Sequence, residues 1–352
     1  MTETARPTEV STGHVRVVSN LAAAIHDLQA RLQADASGST GAALIPTIGV
    51  GVPGVLDVER GLVIASPNFP DWNGFPLRDR LQEACGRPVV IENDANAAAL
   101  GEQWLGSARD ARSFLFITVG TGIGGGLVLD GKLWRGEGGR AGEFGHLKVA
   151  PDGRPCGCGS RGCLEQYANA AALERYALEA LEQAKAGPLR ALAMDRPDAI
   201  EPDAIAQAAR EGDATARSVY RQFAVYLSMG IADVVNLLDL RCYIIGGGIS
   251  EAFDLFAPWL REEVAARIYG VSIDEIEIRK AACGNDAGGL GSAYLALANA
   301  DGEAPQGQSP WGGILSGGPH SNSWAEAEGS RGWRSAAILN DEGSARTAPA
   351  RE

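Results

Sequence analysis

Long apolar runs and aromatic side chains are what this 352-residue sequence has least of. No stretch reaches the roughly 18 consecutive apolar residues that a membrane-spanning helix needs, so a membrane protein is not expected. Aromatic residues make up 6% of the chain and hydrophobic residues 45%, so Ala, Leu, Val and Ile must fill the core. A chain of this length suits two domains, or one domain with added segments.

Basic residues are also outnumbered. Against 31 Lys and Arg stand 44 Asp and Glu, which gives a formal net charge of −13. Proteins that bind nucleic acids or anionic membranes present clustered Lys and Arg, so both kinds of partner are disfavoured. The segment 1–12 is polar and has no hydrophobic signal-peptide core, so the sequence predicts a cytoplasmic protein.

Three of the six cysteines are crowded into eight residues, with a histidine upstream. In a reducing compartment such crowding favours metal ligation over disulfides. Three thiolates and one imidazole make the closed tetrahedral set of a structural zinc site, with no position left for a catalytic water. We therefore predict that His146, Cys156, Cys158 and Cys163 hold structural Zn²⁺. The alternative is a set of unmetallated thiols in a loop.

The order of predicted elements indicates an α/β protein. Strands at 44–52, 88–92, 113–119, 126–129 and 242–245 alternate with helices at 20–33, 95–105 and 251–268. Helices dominate 164–238, and a last helix is expected at 288–299. Residues 301–352 are rich in Gly, Ser, Pro and Glu without apolar periodicity, which predicts a disordered tail. Three tryptophans in that tail have no physical account.

Two glycine-rich turns follow predicted strands. The first, Gly120-Thr121-Gly122 and the glycines after it, offers backbone N–H groups and a hydroxyl that can cradle phosphate oxygens. It matches neither the Walker pattern nor a Rossmann turn, since a strand follows it instead of a helix. The second turn contains Gly247 and Gly248. A plain hairpin and an ordinary strand-to-helix turn remain the alternatives.

Several carboxylate and amide side chains lie in loops or at strand ends, where they could bind the hydroxyl groups of a polyol. Asn93 and Asp94 come directly after a buried strand, where ligands of α/β sheets bind, although Asp94 can also be read as a helix N-cap. Glu143 lies near His146 and Glu165 follows the last clustered cysteine. Asn68 lies in an irregular segment. Turn chemistry for Asn68 and surface charge for Glu165 are the alternatives.

These segments together resemble a known family. Pro67-Asn68, the run 91–98 (Ile-Glu-Asn-Asp-Ala-Asn-Ala-Ala), the turn 120–126, the run 142–146 (Gly-Glu-Phe-Gly-His) and the run 156–165 occur in that order. Over roughly 47–297 the chain is similar to the ROK family (repressors, open reading frames and sugar kinases), most closely to its bacterial glucokinases.

The resemblance implies specific roles. It implies that Asp94 is the general base toward a hexose 6-hydroxyl, and that the sugar is bound by Asn68, Asn93, Asp94, Glu143, His146 and Glu165. His146 would place one ring nitrogen on zinc and present the other to the sugar. The ATP phosphates would lie at Gly120, Thr121 and Gly122, and Gly247 and Gly248 would lie near the adenosine. The implied reaction is the phosphorylation of glucose by ATP with Mg²⁺ in a homodimer.

The resemblance also implies a fold and a gap in it. The fold is the actin-like ATPase (ribonuclease H-like) fold, with two α/β domains and a central cleft. We expect a smaller domain at 1–93 and a larger one with the zinc loop at 94–300, whose last helix packs back on the smaller domain. The family's kinases open with an Asp-x-Gly-Gly-Thr turn, a pattern that this sequence does not contain. The smaller domain is therefore expected to be N-terminally incomplete, with an unprotected sheet edge.

The missing turn keeps other functions open. One alternative is a non-catalytic, zinc-containing protein that binds or senses a sugar. A lesser one is a kinase for an N-acylhexosamine or another hexose. A transcription repressor is disfavoured, because no helix-turn-helix is visible before residue 47 and the net charge is −13.

Overall fold

The computed structural model describes residues 4–36, 45–66, 69, 71–196, 199–300 and 336–338. The chain divides into two compact units. The first comprises Met1–Trp104, Gly136–Arg140 and Asp286–Glu352, and the second comprises Leu105–Arg135 and Ala141–Asn285. The first boundary falls at Trp104 and not at Asn93, where the sequence predicts it.

The first unit is built on a parallel sheet. Its strands are β1 (Ile48–Val52), β2 (Val55–Asp57), β3 (Leu62–Ala65), β4 (Val89–Asn93) and β10 (Ala336–Ile338), and its helices are α1 (His14–Ala36), α2 (Leu77–Cys85), α3 (Asp94–Leu105) and α9 (Ala287–Ala298). Strands β1 and β4 pair in parallel, whereas β2 and β3 form a separate antiparallel pair. All residues of β1 are buried, as expected of a strand covered on both faces.

Glycines bring α9 against β1 and α3. A Cβ atom on Gly49 would lie 1.8 Å from the carbonyl oxygen of Ser292, and one on Gly291 would lie 1.6 Å from that of Ala97. No larger residue fits at either position without moving the backbone. This close packing explains why α3 belongs to the first unit.

The outer edge of β1 is paired. Ala336–Ile338 forms β10, which runs parallel to β1 with Val50 opposite Ala337. The edge expected to be unprotected therefore has a neighbour, which fits an apolar strand that lacks the charged residues by which exposed edges avoid association. These three residues form regular structure inside 301–352, where the composition predicts none. The rest of that tail, including its tryptophans, lies outside the described residues.

The second unit contains a mixed five-stranded sheet in the order β7-β6-β5-β8-β9. Its strands are β5 (Phe114–Val119), β6 (Ile123–Leu129), β7 (Lys132–Leu133), β8 (Cys242–Gly246) and β9 (Glu277–Lys280), and its helices are α4 (Ala170–Leu181), α5 (Pro188–Asp195), α6 (Pro202–Arg210), α7 (Ala214–Leu238) and α8 (Phe253–Ala265). The pairs β5–β6 and β6–β7 are antiparallel, and β5–β8 and β8–β9 are parallel.

Each unit has its own hydrophobic core. In the second unit the core lies between the sheet and the helices, with Phe223, Tyr243 and Phe256 fully buried. The core of the first unit lies around β1, β4 and α2, and includes Trp72. Among the described residues, no helix is both long and apolar enough to cross a membrane.

Candidate active site

Local hydrogen bonds fix the junction of β4 and α3, at which the Asp94 carboxylate is exposed. Asn93 Oδ1 accepts the N–H of Asn96 at 3.1 Å, and Asn93 Nδ2 donates to the carbonyl oxygen of Gly54 at 3.1 Å. Asn93 therefore acts as the cap of α3, and Asp94 is the first helical residue. Asp94 is exposed, and its Oδ1 accepts the N–H of Ala95 at 2.9 Å. The reading of Asp94 as a plain N-cap is thus wrong, because Asn93 fills that position.

The buried carboxylate of Glu92 stabilises this junction through two hydrogen bonds. Glu92 is 1% exposed, and its Oε1 accepts both the N–H of Asn93 and the Nδ2 of Asn96 at 3.0 Å. Neither Glu92 nor Asn96 was predicted as a site residue. Their positions flanking Asp94 are the only hint in the sequence. The predicted sugar contact Asn68 lies outside the described residues.

The predicted metal ligands of the second unit come together. The ligand atoms of His146, Cys156, Cys158 and Cys163 all lie within 4.8 Å of one another. Cys156 Sγ is 3.7 Å from His146 Nδ1, and Cys158 Sγ is 3.7 Å from Cys163 Sγ. A zinc tetrahedron with Zn–S bonds of about 2.3 Å has edges of about 3.8 Å. These two distances fit the expected set of three thiolates and one imidazole.

The backbone of this metal loop (residues 146–163) folds by tight turns. The N–H of Cys156 donates to the carbonyl oxygen of Ser160 at 2.8 Å. Gly162 has a φ of +71°, and a Cβ there would lie 1.8 Å from the carbonyl oxygen of Ala150. Glycine is therefore required at 162, just before the last ligand.

The surroundings of the cluster shift the pKa values of its thiols in different directions. Burial raises the pKa of the Cys156 thiol to about 11, whereas a backbone hydrogen bond from Ser160 lowers the pKa of the exposed Cys158. Lys148 Nζ lies 2.8 Å from Cys163 Sγ, and this hydrogen bond raises the pKa of the lysine. Lys148 was not predicted from the sequence, since nothing in its neighbourhood marks it as a partner of a thiolate.

His146 turns its two ring nitrogens to different neighbours. Nδ1 lies beside Cys156 Sγ in the cluster, and Nε2 lies 3.8 Å from Glu143 Oε2. This orientation suits the predicted double role of His146, with one ring nitrogen on the metal and the other presented to the sugar beside Glu143. Glu143 is half-exposed.

The glycine turn between β5 and β6 keeps two backbone donors unused. The N–H of Gly120 donates to Gly122 O at 3.0 Å, and the N–H of Ile123 donates to Glu165 Oε2 at 3.1 Å. The N–H groups of Thr121 and Gly122 have no hydrogen-bond partner within the described part of the chain. Two adjacent free donors and the exposed Thr121 side chain suit an anionic oxygen.

Glu165 joins the metal loop to this turn. Its Oε1 lies 3.7 Å from Cys156 Sγ, while its Oε2 accepts the N–H of Ile123. A Cβ on Gly122 would lie 2.8 Å from Glu165 Oε2, so a larger residue there would push the carboxylate out of this position. The reading of Glu165 as plain surface charge does not account for these contacts.

The second glycine turn lies beside the first. Gly247 has a φ of +79°, and a Cβ on it would lie 2.4 Å from the carbonyl oxygen of Val119, the last residue of β5. The exposed Gly248 follows it. The structure therefore brings the predicted phosphate turn and the predicted adenosine turn together at the ends of β5 and β8.

Comparison with known proteins identifies the family. The ROK family profile matches residues 3–299, and the chain belongs to this family. The glucokinase of Streptomyces coelicolor is 41% identical over 255 residues, which are 72% of this chain and 80% of that protein. The xylose repressor of Caldicellulosiruptor bescii is 37% identical over 222 residues, 63% of this chain and 55% of that protein.

Solved structures agree with the family assignment. The ROK family glucokinase from Streptomyces griseus, in complex with glucose and AMPPNP, matches with a TM-score of 0.65 and 36% identity over 77% of this chain and 88% of that one. The predicted actin-like ATPase fold is therefore confirmed.

Proposed function

We propose that this protein is an ATP-dependent hexose kinase that converts glucose to glucose 6-phosphate. The observation that carries the proposal is Asp94, an exposed carboxylate fixed at the carboxyl end of β4 in a chain 41% identical to a glucokinase. A carboxylate there can accept a proton without being a structural cap.

In the proposed reaction Asp94 is the general base. Its carboxylate accepts the proton of the glucose 6-hydroxyl while that oxygen forms a bond to the γ-phosphorus of ATP and the bond from phosphorus to the ADP oxygen breaks. Phosphoryl transfer needs mainly positioning and charge neutralisation, so one base and several donors suffice. The Thr121 and Gly122 N–H groups would donate to the phosphates, which would arrive with Mg²⁺, and Gly247 and Gly248 would lie near the adenosine.

The metal loop would position residues that bind the sugar. His146, Cys156, Cys158 and Cys163 would hold Zn²⁺, which supplies structural bracing, since four protein ligands close the tetrahedron. By the resemblance, Glu143, His146 and Glu165 would then contact sugar hydroxyls, and so would Asn93. Because ATP is a cytoplasmic nucleotide, we place the protein in the cytoplasm. The homodimer expected from the resemblance stays a prediction that sedimentation velocity can test.

A direct assay tests the kinase proposal. Full-length protein is given ATP, Mg²⁺ and glucose, with mannose and N-acetylated hexoses as competing substrates, and glucose 6-phosphate is measured. We expect turnover with glucose that far exceeds that of Asp94→Asn. Turnover no higher than in this variant would refute the proposal.

A second candidate is a sugar-binding protein without phosphoryl transfer. The lack of an Asp-x-Gly-Gly-Thr turn in the sequence and the similarity to a xylose repressor favour it. Calorimetry separates the two candidates, because this one predicts glucose or xylose binding in zinc-loaded protein without any turnover.

A further inference from the structure

Asn169 sits between helix α4 and the glycine turn, and its side chain bonds to both. It is buried, with 7% of its surface exposed. Its Oδ1 accepts the N–H of Ala172 at 2.9 Å, which caps α4, and its Nδ2 donates to the carbonyl oxygen of Thr121 at 2.9 Å. One amide side chain thus caps the N-terminus of α4 and holds the glycine turn through Thr121.

A neighbouring backbone bond holds the same turn. The N–H of Ala170 donates to the carbonyl oxygen of Gly120 at 2.9 Å. The carbonyl groups of Gly120 and Thr121 therefore both point toward the start of α4. In a trans peptide unit the C=O and N–H groups point in opposite directions. The N–H groups of Thr121 and Gly122, which belong to these two peptide units, therefore point away from the helix.

We propose that Asn169 is a positioning residue that aims the Gly122 N–H group at the phosphates of ATP, next to the Thr121 N–H group, whose peptide unit is held by the Ala170 backbone bond. This inference rests on the proposed function for the identity of the anion. Asn169 does not touch the nucleotide in this account. It holds the peptide unit between Thr121 and Gly122 in the orientation that leaves the Gly122 N–H free, because rotation of that unit would turn the Thr121 carbonyl oxygen toward the phosphates.

Two substitutions separate this role from helix capping. Asn169→Asp and Asn169→Ser both keep an oxygen that can cap α4, and both lose the amide donor to Thr121 O. Asp also places a negative oxygen against that carbonyl. The matched control is Asn236→Asp in the same unit. Asn236 Nδ2 donates to Arg267 O at 3.2 Å and its Oδ1 accepts the N–H of Tyr269 at 2.9 Å, so the control loses the same kind of bond elsewhere.

Steady-state kinetics of the full-length variants give the main readout. We expect the KM for ATP to rise about fivefold or more in both Asn169 variants, with the larger rise in Asn169→Asp, because a hydrogen bond that orders the turn is lost. The KM for glucose should stay within about twofold of wild type, and the Asn236 control should leave both values unchanged. Equal rises in both KM values, or an unchanged KM for ATP, would overturn the inference.

Amide hydrogen exchange without nucleotide tests the positioning by itself. The N–H groups of Gly120 and Ile123 are bonded within the turn and to Glu165. Their exchange should be faster in Asn169→Asp than in wild type and in the Asn236 control. Unchanged exchange would contradict the inference even if wild type proves to be a kinase. Faster exchange in a protein without kinase activity would support the positioning while refuting the proposed function.

Discussion

The β4–α3 junction and the metal loop place their functional groups by different means. At the junction, Asp94 is fixed by hydrogen bonds among residues 92–96, on a strand and a helix that pack into a core. In the metal loop, side chains from His146 to Cys163 meet at a point where the backbone has little regular structure. Packing therefore fixes the first region before any ligand binds, whereas the second would depend on the proposed zinc ion to join its ligands.

The two regions are also expected to act in different steps of the proposed reaction. The base in the first unit should act in the chemical step, and the metal loop in the second unit should act in substrate binding. Substitutions in the two regions are therefore expected to give opposite patterns.

The substitution Asp94→Asn should abolish chemistry while it leaves binding intact. It removes the proton acceptor but keeps the size of the side chain, so kcat should fall about a thousandfold. Zinc content should stay near that of wild type, because all four proposed ligands remain, and glucose affinity should change little, because Asn keeps a polar group of the same size at this proposed sugar contact. Kinetics combined with calorimetry check this. A variant that keeps kcat and loses glucose affinity would reverse the assignment of the two regions.

The substitution Cys158→Ala should produce the opposite pattern. Cys158 is exposed, so its removal costs little packing, but three remaining ligands hold zinc poorly. We expect zinc content to fall well below one ion per chain and glucose affinity to fall at least about tenfold. Elemental analysis and calorimetry measure both quantities. Cys283→Ala, outside the cluster, is the control, and full zinc occupancy in Cys158→Ala would be incompatible with the assigned ligand set.

The substitution Glu165→Gln should affect both substrates moderately. Glu165 Oε2 bonds to Ile123 N–H beside the glycine turn, and its Oε1 lies near Cys156. A neutral amide is a weaker acceptor than a carboxylate, so the KM values for glucose and for ATP should each rise about threefold to tenfold. The exposed Glu182→Gln serves as the control. An effect on neither substrate would mean that Glu165 is only surface charge.

The substitution Lys148→Met should have the smallest effect. Zinc with three thiolates carries a net negative charge, and the Lys148 ammonium lies 2.8 Å from one of those sulfur atoms. Loss of this charge should speed the transfer of zinc to a chelator about threefold, with kcat unchanged. The exposed Lys132→Met is the control. Equal release rates in the two variants would show that Lys148 does not stabilise the cluster.

The sequence predicts much of this arrangement because the relevant patterns are local. The crowded cysteines with a histidine predict a metal-ligand set, since few other structures need that spacing, and the structure brings these four residues together. Buried strands followed by glycines or by Asn93-Asp94 predict which ends of the sheets are candidate ligand sites. These patterns alone indicate an α/β protein, whereas the actin-like fold is implied by the resemblance of the ordered motifs to the ROK family and is confirmed by the solved structures.

Other features depend on contacts between distant segments. The pairing of β10 with β1 joins residues almost 300 positions apart, from Gly49 to Ala336, and no local pattern indicates it. The bonds from Asn169 to Thr121 and from Lys148 to Cys163 likewise require the folded loop. Asn169 does precede a helical pattern, so its capping role could be predicted, but not its second bond.

Glucose calorimetry on three samples measures whether sugar binding depends on the metal loop: zinc-loaded wild type, metal-depleted wild type, and zinc-loaded Asp94→Asn. The account predicts that glucose binds the first and third samples with similar affinity, and the second at least about tenfold more weakly, with recovery when zinc is added back. Binding of glucose to the metal-depleted protein with undiminished affinity would contradict the claim that the metal loop holds the sugar-binding groups in place.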